Sequence, residues 1–340
     1  MFSKQIEIIS IGDITTDAFI RLKDAHLSCK INKDDCEICL PFGAKVPFES
    51  VKVVKAVGNA ANAAVAAARL GLRTALVSNL GKDESGKECL AELERNKVIT
   101  TFLAEHHNRA TNYHFVLWYG TDRTILVNHI PYDYKLPRLP EPKWIYLTSI
   151  APNTLDYHDQ IATYLKDHPK VKLAFQPGTY QIQLGRKPLE YFYTRADVLI
   201  LNLEEAHKLI TSAKPTKTAL GNDRTIKQTL RSLAALGPKL VAITNGPRGA
   251  YFYDGEHYYE MPIYPDSRPP IERTGCGDAW ASTFVSALVM GKTPLEALLW
   301  APVNPMSVAQ FVGAQEGLLE AKDIEWWLKR APESYRPREI

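Results

Sequence analysis

The chain has 340 residues, 45% hydrophobic and 23% charged, an ordinary globular composition long enough for one large α/β domain with an appendage or for two medium domains. Its 41 basic and 38 acidic residues leave a net charge of +3 with no basic block, which argues against a nucleic-acid partner. No stretch approaches the ~18 to 20 apolar residues of a membrane span, and the N-terminus, with Lys4 and Glu7, does not read as a secretion signal, so the expected setting is the cytoplasm with no membrane partner.

In chain order, Ile6 to Ile11 is a short apolar run ending at Gly12, the pattern of a buried first strand. Ala60 to Leu70 is rich in alanine and ends at Gly71, which predicts a helix closed by a glycine cap. A strand at Thr74 to Val77 and a helix at Gly86 to Asn96 follow. The alternation resumes with strands at Trp144 to Thr148, Lys172 to Phe175, Val198 to Leu201 and Leu240 to Thr244. Helical patterns fall at Leu155 to Asp167, Pro188 to Arg195, Glu204 to Thr211 and Thr225 to Leu236. Such alternation predicts a parallel sheet with helices on both faces.

Two stretches break the rhythm. Residues 18–56 hold strand-like pieces such as Val51 to Val57, and residues 111–129 read as a hairpin turning at Gly120-Thr121-Asp122. Neither has a helix beside it, which predicts a small antiparallel sheet projecting from a main domain made of 1–17, 57–110 and 130–330. Helices are expected at Asp278 to Met290, Pro294 to Trp300 and Asn304 to Phe311, and a loosely ordered tail at 331–340.

The segment Thr274-Gly275-Cys276-Gly277-Asp278 lies directly before one of these helices. Its glycines let backbone amides approach a ligand, and a helix N-terminus adds unpaired N–H groups and a positive dipole end. The combination suits a transferring phosphoryl group, and an aspartate there is placed to accept the proton of an attacking hydroxyl. Taken alone, the segment reads rather as a helix capped by Asp278.

Its context extends beyond one segment. Glu272 to Trp280 (ERTGCGDAW) resembles the C-terminal signature of the PfkB, or ribokinase-like, carbohydrate kinase family. Further motifs similar to that family's follow in order: Gly12-Asp13-Ile14-Thr15-Thr16-Asp17, Gly58-Asn59-Ala60-Ala61-Asn62, Asn202-Leu203-Glu204-Glu205, Thr244-Asn245-Gly246-Pro247-Arg248-Gly249 and Gly313-Ala314-Gln315-Glu316-Gly317. The resemblance implies a three-layer α/β/α fold with a mainly parallel central sheet and a small antiparallel β lid. It also implies ATP-dependent phosphoryl transfer to a hydroxyl of a sugar or nucleoside, with Mg²⁺, and often a homodimer through the lid. Asp278 is then the catalytic base, and the amides of Gly275, Cys276 and Gly277 stabilise the transferring group.

The remaining motifs have a physical reading beside the family one. Asp17, with Asp13 nearer the strand, follows the first strand at the sheet edge where ligands bind, and a carboxylate accepts hydrogen bonds from neighbouring hydroxyls. Gly58, Asn59 and Asn62 bracket a strand-to-helix turn, and the asparagines either hold substrate hydroxyls or cap the alanine-rich helix. Asn202 and Glu205 have the spacing of a capping box, and Glu205 also suits a hydrated Mg²⁺ beside nucleotide phosphates. Thr244 and Gly246 end a strand where phosphate oxygens can be met, and Asn304, at the start of a late helix, is a candidate contact to the nucleotide base or ribose. Glu272-Arg273 stand where the family usually has Asp-Thr, in a region that binds a monovalent cation in many relatives, so a cation requirement stays open. Phe115, Trp118, Tyr119 and Arg123 of the hairpin serve either substrate contact or packing.

The spacing His26-x2-Cys29-x6-Cys36-x2-Cys39 admits a structural zinc site, with buried reduced thiols as the alternative. A regular strand over Cys36 to Cys39 would send the two sulfurs to opposite faces and prevent chelation. A non-catalytic sugar- or nucleotide-binding regulator on the same fold is the competing functional class.

Overall fold

The apolar runs marked as strands of the main domain all enter one ten-stranded sheet. The computed structural model describes residues 5–23, 25–29, 36–120, 122–210 and 223–340; the turn residue Thr121, the helix end Thr211 and the N-terminal residue Lys4 lie outside them. In chain order the strands are β1 (Ile8–Ile11), β2 (Thr15–Leu22), β3 (His26–Cys29), β4 (Cys36–Cys39), β5 (Phe48–Val57), β6 (Thr74–Gly81), β7 (Leu103–His106), β8 (Tyr113–Tyr119), β9 (Asp122–Leu126), β10 (Trp144–Leu147), β11 (Lys172–Phe175), β12 (Val198–Asn202), β13 (Leu240–Thr244), β14 (Ala250–Tyr253), β15 (Tyr258–Met261) and β16 (Arg338–Glu339). The helices are α1 (Asn59–Arg69), α2 (Glu84–Arg95), α3 (Leu155–Asp167), α4 (Thr179–Leu184), α5 (Glu190–Arg195), α6 (Leu203–Ile210), α7 (Asp223–Ala234), α8 (Cys276–Val289), α9 (Pro294–Trp300), α10 (Val303–Val308) and α11 (Ala321–Leu328).

The large sheet runs β16-β15-β14-β13-β12-β11-β10-β1-β6-β7. It is parallel from β13 to β7 and antiparallel from β13 to β16. Side-chain alternation builds the layers. Ile9, Ile145, Phe175, Leu199 and Val241 face one way and pack on α3, α5, α6 and α7. Ile8, Tyr146, Ala174, Ile200 and Ala242 face the other way and pack on α1, α8, α9 and α10. Strands covered on both faces read as continuous apolar runs, as these do. The alanines of α1 let it lie close to both the sheet and α8: Ala60, Ala64 and Ala67 are fully buried.

A second sheet, β5-β2-β8-β9, stands apart from the first. Its β2–β5 and β8–β9 pairs are antiparallel, while β2 and β8 run parallel. Both of these strands enter the small sheet from the main domain in the same direction, β2 after β1 and β8 after β7.

Two expectations are corrected. The last ten residues are docked: β16 extends the sheet edge, and Tyr335, only 5% exposed, donates its hydroxyl to the Leu299 carbonyl at 2.6 Å. The aromatic side chain finds a buried slot that the charged sequence around it conceals. Neither zinc nor buried thiols describes the cysteine segment. Cys29 and Cys36 face each other across the exposed β3–β4 hairpin and form a disulfide, while Cys39 lies on the same strand as Cys36 at a spacing that turns its sulfur to the opposite face. Among the described residues no group of His, Cys, Asp or Glu side chains could hold a metal ion by itself.

Candidate active site

In the large sheet β1 is the point of reversal, since the chain continues to β6 on one side and later to β10 on the other. Ligand crevices open at the carboxyl ends of strands at such points. A cavity of about 520 Å³ lies there, reached by Asp13 after β1, Gln176 after β11, Asn202 at the end of β12 and Thr244 at the end of β13. The small sheet closes its other side with Asp17, Phe19, His114 and Arg123. Asp17 and Phe19 are two apart on β2, and His114 is the β8 neighbour of Asp17, so one face of the pleat carries them all.

At the head of α8 the chain turns through Gly275, at φ +80°, where a β-carbon would come within 2.2 Å of Ala314. Only glycine fits that approach. Gly277 and Asp278 follow in the first helical turn, whose amides have no intrahelical acceptor. Cys276 contributes differently. Its amide points back to the Arg273 carbonyl at 3.3 Å, its sulfur turns toward the Pro305 carbonyl, and burial pushes its thiol up to about 12. Unlike Gly275 and Gly277, it does not line the cavity, which corrects the expected contribution of its amide.

The Asp278 carboxylate is held at both oxygens. Asn59 donates to Oδ1 at 3.0 Å, Asn62 to Oδ2 at 2.8 Å, and Gln176 approaches Oδ1 at 3.5 Å. Burial raises its pKa, opposed first by the hydrogen bond from Asn62. The structure thus redirects Asn62. Its amide nitrogen serves Asp278, its oxygen accepts from Gln315 at 2.9 Å, and the side chain is 5% exposed. Both asparagines also line the cavity, Asn59 half-buried and Asn62 almost closed off. Gly58, at φ +102°, lets the turn before α1 pass the Asp13 carbonyl, which a β-carbon would meet at 2.7 Å.

Asp13 and Asp17 differ sharply. Asp13 accepts from the Tyr134 hydroxyl at 2.8 Å and the Ala151 amide at 2.7 Å, which ties its loop to the β10 side, and burial raises it to about 6. Asp17 is 9% exposed, and its Oδ1 has no hydrogen-bond partner. His114 Nδ1 faces it at 3.5 Å. His129 faces Asp13 at 3.6 Å and makes edge contacts with His114 and Tyr180. Burial lowers His129 to about 4, so its ring is neutral.

Asn202 and Glu205 form the reciprocal capping box at α6: the Asn202 amide donates to Glu205 Oε2, and the Glu205 amide donates to Asn202 Oδ1, both at 2.8 Å. Both residues also line the cavity, so the cap leaves Glu205 Oε1 for a further partner. A magnesium ion that keeps most of its waters fits such a single carboxylate oxygen. Burial raises Glu205, with the Asp278 charge adding to the effect. Thr244 lines the cavity, whereas Gly246 sits on the exposed turn beyond it. Asn304 is the clear correction. It is fully buried, donates to Thr283 at 2.8 Å and accepts from the Leu319 amide at 2.8 Å, so it braces α8 against the late loop and is closed to a nucleotide.

Glu272 is 1% exposed beneath the glycine turn. Its Oε1 accepts from the amide and hydroxyl of Thr274, and its Oε2 has no hydrogen-bond partner. Arg123 faces it from the small sheet, Nε to Oε1 at 3.9 Å. Among the hairpin residues singled out by sequence, Arg123 is the one that lines the cavity; Phe115 is exposed on the outer face, and Trp118 packs under Arg21. Sequence reading missed His114, His129, Tyr180 and Gln176. Only Gln176 carried a signal, its place just after a predicted strand.

Comparison with known proteins agrees with the sequence motifs. Residues 43–320 match the model of the pfkB family of carbohydrate kinases. A ribokinase of Bacillus subtilis is 28% identical over 79% of this chain and 86% of its own. The structure of Arabidopsis thaliana ribokinase complexed with ribose and ATP superposes with a TM-score of 0.76 at 20% identity, covering 96% of this chain and 99% of that one. A nucleoside kinase of Methanocaldococcus jannaschii, described as an archaeal member of the ribokinase family, superposes at 0.74 with 18% identity, over 96% and 100% of the two chains. The fold is therefore ribokinase-like.

Proposed function

The chain belongs to the pfkB family of carbohydrate kinases, ATP-dependent kinases of carbohydrates or nucleosides, and from that premise we propose that it phosphorylates a hydroxymethyl group of a sugar or sugar-like molecule with Asp278 as general base. One observation carries the assignment. The Asp278 carboxylate opens on the cavity at the head of α8, beside the Gly275 turn, and two asparagines fix its orientation. A base held in this way needs no reorganisation when a hydroxyl arrives.

The steps follow from the groups around it. The orphaned Oδ1 of Asp17 takes a hydrogen bond from the acceptor's hydroxyls and turns the reacting one toward Asp278. Asp278 accepts its proton as the oxygen bonds to the γ-phosphorus of ATP, the bond from that phosphorus to the bridging oxygen breaks, and ADP leaves. The free amides at the head of α8, Gly277 foremost, meet the charge that spreads over the phosphoryl oxygens. Glu205 with Asn202 would hold a magnesium ion bound with ATP, which would neutralise phosphate charge there. Thr244 faces the nucleotide side. Residues 18–56 and 111–129 act as the lid, whose closure keeps water from the phosphoryl group. The outer lid face exposes Val51, Val53, Phe115 and Leu126, and a second copy of the chain is its proposed partner. ATP use is in keeping with a cytoplasmic setting.

A nucleoside acceptor is the second reading, favoured by the Tyr180 and His129 rings at the cavity wall, against which a base can stack. ATP consumption measured across sugars and nucleosides tests the proposal. Turnover with one class is expected, and binding of either ligand without any turnover would instead support a non-catalytic regulator.

A further inference from the structure

Resting on the kinase reading, we infer that the acceptor is an uncharged polyhydroxy compound, and that His114 and His129 together with Asp17 recognise its hydroxyls. The charges lining the cavity point that way. Among the described residues, four carboxylates line it, from Asp13, Asp17, Glu205 and Asp278, against two guanidiniums, from Arg123 and Arg273. Each guanidinium already faces a carboxylate outside that lining, Arg123 facing Glu272 at 3.9 Å and Arg273 facing Asp266 at 4.0 Å. Arg123 also lies near enough to Asp278 to favour its ionised form.

The strand register sets Arg123 beside Trp118, four residues along β8 from His114, so the end of the cavity around Asp17 holds neither guanidinium. Asp13, His114 and His129 stand there, with His114 facing Asp17 at 3.5 Å and His129 facing Asp13 at 3.6 Å. A phosphate or carboxylate on the acceptor would lie against two aspartates with no counter-charge, and like charges at close range in a partly desolvated site repel strongly.

The same end offers unfilled hydrogen-bonding positions. Asp17 Oδ1, His114 Nε2 and His129 Nδ1 are buried atoms without a hydrogen-bond partner. The imidazole side chains are 12% and 15% exposed. A neutral imidazole offers one donor and one acceptor, and an aspartate only acceptors. Hydroxyl groups, which both donate and accept, complement the set; an anion, which only accepts, does not. Free sugars and nucleosides both belong to this class, and sugar phosphates do not.

The test is a paired measurement with the purified full chain and ATP. Fructose and fructose 6-phosphate both present a free hydroxymethyl group and differ in charge, and tagatose with its 6-phosphate repeats the comparison. The expected result is a kcat/KM at least about 100-fold higher for the uncharged member of each pair that is turned over. Equal or better turnover of the 6-phosphates overturns the inference while the kinase reading stands. Turnover of neither sugar nor nucleoside, with or without phosphate, overturns both. With the best uncharged acceptor, His129→Ala should raise its KM about 10-fold, the equivalent of one hydrogen bond, while kcat, the KM for ATP and the Tm hold. His129→Asn, which keeps a donor and an acceptor, should recover part of that loss. An unchanged acceptor KM in both His129→Ala and His114→Ala removes the histidines from recognition.

Discussion

Two buried carboxylates face the same cavity under opposite conditions. Asp278, on the large domain, has each oxygen held by an asparagine. Asp17, on the small sheet, has an oxygen with no hydrogen-bond partner. A buried acceptor left unpaired costs about 1–3 kcal/mol, and it persists where a ligand supplies the missing donor. A carboxylate already paired is instead fixed in direction and tuned in basicity. The difference separates a group that is set before the acceptor arrives from one completed by it.

The largest effect should fall on Asp278. Asp278→Asn is expected to lower kcat by about 10³-fold or more while ATP affinity, measured by calorimetry, changes little, since a general base contributes to the proton transfer and not to nucleotide binding. Asp17→Asn should act on the acceptor: a loss of about 100-fold in kcat/KM, carried mainly by KM, with a Tm unchanged or raised because an uncompensated buried charge has gone. Asp13→Ala provides the contrast within the same loop. It leaves the Tyr134 hydroxyl and the Ala151 amide unpaired, so it should cost about 2 kcal/mol of stability by denaturant unfolding. If Asp17→Asn were the less stable protein, the contrast between orphaned and satisfied acids would fail.

Much of this arrangement was legible in the sequence. Strand-helix alternation predicts a parallel sheet with helices on both faces, because buried parallel strands are unbroken apolar runs and helices keep their own period. The glycine turn and Asp278 stand out through their place among the ordered motifs, since local chemistry alone allows a simple helix cap. What crosses between distant segments was not legible. His114 becomes the neighbour of Asp17 only through the β2–β8 register, and nothing near residue 114 announces it. That Asn62 holds Asp278 could not be read either, because the two are far apart in sequence and close only after folding. Asn304 was misjudged for the same reason: a polar residue at a helix start looks available until the core around it is known. Tyr335 hid among charges, and one buried aromatic anchors the tail.

The asparagines make the contrast sharper at intermediate size. Asn62→Ala should lower kcat about 10-fold, since the carboxylate loses one of its two fixed directions. Its pH profile carries a sign. Burial raises the pKa of Asp278, and the hydrogen bond from Asn62 pulls it back down. As the proposed base Asp278 works ionised, so activity should fall as pH drops through that pKa. Without Asn62 the pKa rises further, and the acid limb of kcat/KM should move to higher pH. A limb that stays in place or moves to lower pH would show that the bond from Asn62 does not set the basicity of Asp278.

The smallest expected effect concerns Glu272. A carboxylate 1% exposed, directly beneath the glycine turn proposed to meet the phosphoryl group, would oppose the incoming negative charge unless a cation offsets it. Arg123 brings that charge from the small sheet, 3.9 Å from Glu272 Oε1. A guanidinium that neutralises Glu272 leaves little for a dissolved ion to do. Exchanging K⁺ for Na⁺ at constant ionic strength should therefore change kcat/KM by less than about twofold, the scale of a screening effect. Arg123→Met removes the guanidinium and leaves the acid buried. That variant should lose activity and regain part of it specifically with K⁺. Should the unaltered enzyme already depend strongly on K⁺, Glu272 belongs to the ion, and the small sheet closes over the site without lending it charge.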